Sequence, residues 1–335
     1  METEMDRTQL GAAGPDVSVL GLGAMGMSDL YGPADHDEGL LTIRASLDAG
    51  INLIDTGDFY GLGANEMLIA RALDGVNRED VVLSVKFGAQ RSPDGSWLGH
   101  DNSPNAVKNS LAYSLKRLNV DYIDIYRPAR LDPSVPIEET VGAIAEMVHA
   151  GYVRHIGLSE VGVETIRRAH AVHPICDLQI EYSLLSRDIE EDVLPATREL
   201  GIDITAYGVL ARGLLSGHWN ANRQLAANDY RAIIDRFSQD NVEKNLALVA
   251  ALTEIGQSVG ATPAQVAIAW ATAQGPDIVP VIGARRRDRL SEAVAAASLK
   301  LSPSDLERIE HAVPMGAAAG ARDVAQSLDP ALHGS

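Results

Sequence analysis

Ile51-Asn-Leu-Ile-Asp55-Thr-Gly-Asp-Phe-Tyr60-Gly and, twenty residues on, Val81-Val-Leu-Ser-Val-Lys86-Phe carry the reading of this chain. Each is a short apolar run of strand length that ends in a chemically capable side chain. Residues 65–73, between them, have helical spacing. Strand, helix, strand makes a parallel βαβ unit, and parallel strands bring their C-terminal ends to one rim. Asp55, Tyr60 and Lys86 are therefore expected together at one edge of a barrel. A lysine beside a phenol lowers the phenol's pKa, and a carboxylate beside the lysine holds the amine in place and charged. Such a trio is a proton donor suited to neutral pH, because transfer is most efficient when donor pKa and working pH are close.

The same alternation runs outward in both directions. Apolar runs at 19–22, 51–55, 81–85, 122–126, 153–158, 178–180, 202–206 and 278–282 read as strands. Helical spacing fills 37–49, 65–73, 104–117, 137–149, 162–172, 188–199, 241–258 and 263–273. Ser103-Pro104 and Thr262-Pro263 mark helix starts, each a capping hydroxyl followed by proline in the first turn. Eight strands alternating with helices point to a closed (β/α)8 TIM barrel rather than an open doubly wound sheet. We read residues 1–335 as a single barrel domain. An N-terminal hairpin spans about 8–20, turning at Gly11-Ala-Ala-Gly14-Pro15, and forms the floor. The barrel proper spans about 20–295, followed by a C-terminal segment at about 296–335. The long connection at 208–240 is expected to cover a ligand. The Ala- and Gly-rich stretch at 315–335 either wraps the barrel or stays mobile.

Composition sets bounds. Of 335 residues, 46% are hydrophobic, enough for a large core. With 28 basic and 46 acidic residues the formal charge is −18, which argues against nucleic acid and anionic membrane surfaces as partners. Any phosphate ligand then needs a local basic cluster. A single cysteine, Cys176, excludes internal disulfides, fits a cytoplasmic setting and reads as an inert buried thiol. The N-terminal residues have no apolar segment of the signal-peptide kind, and no apolar run approaches a membrane span. The histidines at 149, 155, 170 and 173 show no ligand-like grouping, so no metal is expected.

Several blocks, in order, resemble the aldo-keto reductases from Leu20 to about Val294: Gly21-Leu-Gly-Ala-Met25-Gly-Met27-Ser, Asp55-Thr-Gly-Asp-Phe-Tyr60-Gly-Leu-Gly-Ala-Asn65-Glu66, Tyr122-Ile-Asp124-Ile-Tyr126, Ile156-Gly-Leu-Ser159, Gln179-Ile-Glu181-Tyr182-Ser183 and Ala206-Tyr207-Gly-Val-Leu210-Ala-Arg212-Gly213. The resemblance implies reversible hydride transfer from NADPH to an aldehyde or ketone. In it Tyr60 protonates the oxygen, Lys86 stabilises the phenolate and Asp55 pairs with Lys86. Asp58 reads as a loop residue. The family's usual histidine, three residues after the tyrosine that ends the fourth strand, falls on Ala129 in Tyr126-Arg-Pro-Ala129-Arg130. Loss of one preorganised donor at a developing oxyanion costs on the order of 100- to 1000-fold in turnover. Arg127 and His100 are the candidates to replace it. Arg130 reads as a surface ion-pair partner, and Trp97 as either a wall of the substrate pocket or packing for its loop.

The resemblance also assigns the cofactor residues. Ala24 and Met25 lie in the first βα loop, and Asp55 borders the nicotinamide. Ser159 and Gln179 match the carboxamide contacts, but Glu160 stands where the family has Asn. Tyr207 matches the ring that stacks on nicotinamide, and the loop with Gly208, Leu210, Arg212 and Gly213 is expected to cradle pyrophosphate. Gly283, Arg285, Arg289 and Glu292 match the adenosine end. Four arginines among residues 285–289 favour NADPH over NADH, with Arg286 and Arg287 as solvated-face residues. Two rival readings stay open. One is a nicotinamide-binding redox sensor with weak turnover, which Ala129 favours. The other is a lyase or aldolase using Lys86 as a Schiff base. The carbonyl substrate, the physiological direction and the oligomeric state are not written in the sequence.

Overall fold

The computed structural model describes residues 5–28, 30–226 and 228–323. Two short antiparallel strands come first, β1 (Arg7–Gln9) and β2 (Asp16–Ser18), paired Thr8 to Val17. Then follow β3 (Gly21–Gly23), β4 (Leu53–Gly57) and β5 (Val82–Phe87), and an antiparallel pair in the next loop, β6 (Ala89–Arg91) with β7 (Trp97–His100). The remaining strands are β8 (Ile123–Pro128), β9 (Val153–Ser159), β10 (Ile175–Glu181), β11 (Asp203–Tyr207) and β12 (Ile278–Ile282). Eight of them, β3-β4-β5-β8-β9-β10-β11-β12, close into a parallel barrel, as expected.

Helices α1 (His36–Asp48), α2 (Ala64–Ala72), α3 (Pro104–Leu118), α4 (Ile137–His149), α5 (Val163–Val172) and α6 (Val193–Leu200) cover the outside, with α7 (Gln239–Ser258), α8 (Pro263–Ala273), α9 (Arg287–Ala296) and α10 (Pro303–Ala312). The Ser103 hydroxyl caps α3, and Thr262 with Gln265 forms a full capping box on α8. The helix read at 188–199 is split. A 3-10 turn at Asp188–Glu190 precedes α6, whose N-cap Asp192 accepts the Val193 N–H and restarts the helix.

Several strands run past the apolar runs that announced them, to Gly57, Phe87, Pro128, Ser159 and Glu181. Asp55, Lys86, Arg127, Ser159 and Glu181 interrupt the apolar pattern near these ends, because alternate residues point into the barrel, where the interior changes character with height. At the floor, Leu10 and Val17 of the hairpin pack with Leu53, Val82, Ile125, Cys176 and Val279. Buried Cys176 is thus floor packing. Higher up the filling is ionic, and at the rim it is chemical. The larger apolar core lies between strands and helices.

The connection at 208–240 contains three 3-10 turns and bridges back to the first loop, Tyr31 pairing with Asp229. Residues 315–323 return to the barrel mouth, where the Arg236 N–H donates to the Ala321 carbonyl. The rest of the C-terminal segment, 324–335, lies outside the described residues. Among the described residues no helix is long and apolar enough to cross a membrane, and no cluster of acidic, His or Cys side chains could hold a metal.

Candidate active site

The β4–β5 register pairs Gly57 with Lys86 and Asp55 with Ser84, which brings the aspartate and the lysine to the same face of adjacent strands. Lys86 Nζ donates to Asp55 Oδ1 at 2.5 Å and to the Thr56 carbonyl at 3.3 Å. Asp55 Oδ2 accepts from Ser84 Oγ at 2.9 Å and Gln179 Nε2 at 2.8 Å, so the carboxylate is locked on both oxygens. Tyr60 sits in the 3-10 turn after β4, nearly buried, with Lys86 Nζ 5.3 Å from its ring centroid. The three residues read together in the sequence do meet.

Their electrostatics differ from expectation. Burial pushes the Tyr60 phenol well above its ordinary value, and Asp55 pushes the same way, while Arg130 and Arg127 oppose. Burial also pulls Lys86 below the usual amine range, against the pull of Asp55.

Arg127 does not reach the rim. Its side chain is fully buried one layer below Asp55, where Nη1 pairs with Asp177 at 2.8 Å and Nη2 donates to Ser84 Oγ at 3.0 Å. Asp177 keeps the guanidinium inside the barrel, so the placement of Arg127 as a pocket residue is corrected here. Arg130 is corrected in the other direction. It is no surface residue: its side chain is only 22% exposed and Nη1 donates to the Ala129 carbonyl at 2.7 Å. His100 ends β7 at the same rim, partly buried, with burial drawing its pKa down. Trp97 is half exposed and edge-on to Phe59 at 5.8 Å, and Phe59 is edge-on to Tyr60 at 4.7 Å. Trp97 thus stands beside the trio.

The first loop is pinned by a residue whose role the sequence did not announce. Buried Asn65 accepts from Thr56 Oγ1 at 2.6 Å and donates to the Ala24 carbonyl at 2.9 Å and Ser28 Oγ at 2.8 Å. Ala24 and Met25 therefore sit directly above β3 and β4. Across the barrel, Ser159 Oγ and Tyr207 OH are buried without a hydrogen-bond partner among the described residues. Buried polar atoms are rarely left so, and an amide-bearing ligand would satisfy them. After Tyr207 the backbone turns sharply: Gly208, Ala211, Arg212 and Gly213 all have positive φ, and the turn is closed by the Ala211 N–H on the Gly208 carbonyl and the Gly213 N–H on the Leu210 carbonyl. At Gly208 a Cβ would lie 3.0 Å from the Glu181 side chain.

Glu160, fully buried at the end of β9, accepts Arg322 at 3.1 and 2.9 Å on its two oxygens and the Glu181 N–H at 2.9 Å. Burial alone would raise its pKa, yet Arg322 and Arg130 outweigh that and hold it at about 2. Asp323 takes Tyr230 OH and lies 3.6 Å from Arg212 and 3.8 Å from Arg130. Residues 319–323 thus strap the mouth between Glu160 and Arg212. The composition of 315–335 offered wrapping as one of two outcomes, and residues up to 323 do wrap; which side chains they meet left no sign in the periodicity.

At the far end Arg286 pairs with Asp288 at 2.6 Å and Arg287 with Glu38 at 3.0 Å, fitting their solvated-face reading. Arg285 Nη1 donates to the Tyr31 and Pro33 carbonyls at 3.1 and 3.2 Å. Arg289 touches His218 and lies 3.4 Å from Glu292, and Gly283 has open space at its Cα. The 208–240 connection adds Arg223 and Arg231, stacked on Trp219 at 4.5 and 5.1 Å.

Comparison with known proteins agrees with this geometry. The family model described as "Aldo/keto reductase family" matches residues 19–314. A soybean (Glycine max) protein named probable aldo-keto reductase 1 is 41% identical over 324 residues, covering 96% of this chain and 92% of the relative. The solved glycerol dehydrogenase AKR11B4 of Gluconobacter oxydans superposes with a TM-score of 0.84 at 27% identity, covering 97% of this chain and 98% of that one. The holo form of aldo-keto reductase AKR11C1 of Bacillus halodurans gives 0.75 at 27% identity, over 92% and 97%.

Proposed function

From the premise that this chain belongs to the aldo/keto reductase family, and so to nicotinamide-dependent oxidoreductases of carbonyl and alcohol groups, we propose that it is an NADPH-dependent reductase of small aldehydes or ketones, with Tyr60 as proton donor. The observation that carries this reading is the Lys86–Asp55 contact at 2.5 Å beneath the Tyr60 ring. When bound, the reduced nicotinamide supplies the hydride. Ser159 and Gln179 are the residues we assign to its carboxamide, and Tyr207 to its ring. The Gly208–Gly213 turn, with Leu210 and Arg212, would hold the pyrophosphate. Arg285, Arg289 and Glu292 would hold the adenosine end, with Gly283 leaving room. A fork of arginines in an acidic chain is the chemistry a 2′-phosphate selects.

In the reaction the carbonyl carbon gains hydride and the π pair moves onto oxygen. Tyr60 then gives its proton to that oxygen and is left as a phenolate, which water reprotonates. Because burial keeps the free phenol well protonated, the donor is loaded at every physiological pH. Cations near the ring matter at the moment the phenolate forms. Asp55 holds Lys86, whose Nζ lies 5.3 Å from the Tyr60 ring centroid, and Phe59 with Trp97 packs against that ring's edge. We read the whole chain as one catalytic domain acting on small molecules, in the cytoplasm.

The experiment is a carbonyl panel run with NADPH and NADH on wild type, Tyr60→Phe and Lys86→Met. NADPH-dependent turnover that falls at least about 100-fold in both variants supports the proposal. Undiminished turnover in Tyr60→Phe would sink it.

A further inference from the structure

Ala129 cannot polarise a carbonyl, and Arg127 is held below by Asp177. His100 ends the β6–β7 hairpin beside Arg130 and Asp132, and burial draws its pKa down, so it offers no permanent charge to a developing oxyanion. One cation does converge on the gap. Arg130 follows Ala129, and its backbone carbonyl is anchored by Asn102 Nδ2 at 2.7 Å. Its guanidinium folds back onto the Ala129 carbonyl at 2.7 Å, and its far nitrogen lies 3.8 Å from Asp323 of the strap. Asp323 is itself steadied by Tyr230 OH and Arg212. The charge of Arg130 is felt by Tyr207, Glu160, Asp323 and Tyr60, and by Lys86 and His100.

We infer that Arg130 takes the role of the absent imidazole, its guanidinium, held by the Ala129 carbonyl and Asp323, donating to the carbonyl oxygen of the substrate and steadying the charge that forms between that oxygen and Tyr60. A guanidinium suits this. It is charged at every working pH and presents several N–H donors in one plane, enough to serve an anchor and a ligand together. Among the cations opposing the upward push on Tyr60, Arg130 comes first. Arg130 donates hydrogen bonds and transfers no proton, so the balance of the reaction is unchanged.

The inference rests on the reductase reading, and the test separates the two. Wild type, Tyr60→Phe, Arg130→Met, Arg130→Lys and the double variant Arg130→Met with Ala129→His are assayed for kcat and KM across pH. NADPH affinity is read independently by fluorescence titration. Arg130→Met is expected to lose about 100- to 1000-fold in kcat, as for removal of one oxyanion donor, with the NADPH Kd within about threefold of wild type. Arg130→Lys recovers part of that loss. The histidine double variant recovers at least about tenfold and acquires a pH limb near the imidazole's pKa of roughly 6.5, which a merely structural arginine would not produce. Full kcat in Arg130→Met while Tyr60→Phe is dead overturns this inference alone. A loss confined to NADPH affinity also overturns it. Turnover surviving Tyr60→Phe overturns both.

Discussion

Arg127 and Asp177 meet at 2.8 Å inside the barrel, each with no exposed side-chain surface. The pair is wired to the rim: Asp177 also accepts Thr205 Oγ1 at 2.6 Å, and Arg127 reaches Ser84, which donates to Asp55. Gly157 makes room for it, since a Cβ there would lie 2.6 Å from Asp177 Oδ1 and 2.9 Å from Arg127 Cζ. Removing one partner of such a buried pair leaves an uncompensated charge. Arg127→Met should therefore cost roughly 3–5 kcal/mol in urea unfolding, while adding Asp177→Leu should restore much of the loss. A single variant with wild-type stability would show the pair to be energetically idle.

Asp58, in the turn between Asp55 and Tyr60, carries a pH dependence of unusual sign. Burial first, and Glu66 second, raise its pKa to about 7, against Arg117 and the Ser110 hydroxyl. A carboxyl whose folded pKa lies above its unfolded value stabilises the fold at low pH, and that contribution is lost as pH rises through about 7. Asp58→Asn should raise the melting temperature at pH 8 and have little effect at pH 4, with a difference on the order of a few kcal/mol. Equal effects at both pH values would mean that the group titrates normally.

The Glu160–Arg322 contact has the opposite sign. Despite burial, Glu160 is held at about 2, below its ordinary 4.5, so the pair stabilises the fold above about 4.5 and loses that contribution as pH falls toward 2. Arg322→Met should destabilise most at neutral pH, by about 1–3 kcal/mol, and less at pH 4, where the stranded carboxylate takes up a proton. Thermal melts at the two pH values decide it. A pH-independent difference would point to lost packing instead.

At the adenosine end, Arg285 and Arg289 should discriminate between cofactors. Arg289→Ala and Arg285→Ala are each expected to weaken NADPH about 10- to 100-fold, or about 1.4–2.8 kcal/mol, while NADH changes about twofold at most. Arg286→Ala and Arg287→Ala, whose partners are Asp288 and Glu38, should leave both affinities near wild type. Equal weakening of NADH and NADPH by Arg289→Ala would remove the 2′-phosphate from the account.

The barrel was legible in the chain because burial on both faces leaves a signature in one dimension. Strand and helix runs alternate along it, and the apolar runs mark all eight barrel strands. Asp55, Tyr60 and Lys86 were legible for a related reason: each lies at or just past the end of such a run, and parallel strands must present their ends together. The sequence could not say which arginine near Ala129 faces the chemistry. Arg127, Arg130 and Arg322 are the same residue type, and their roles depend on partners 50, 193 and 162 positions away, at Asp177, Asp323 and Glu160. Hydrophobic spacing reports only how deep a segment is buried. Which charge meets which, across a closed barrel and under a returning strap, is decided only once the chain has folded back on itself.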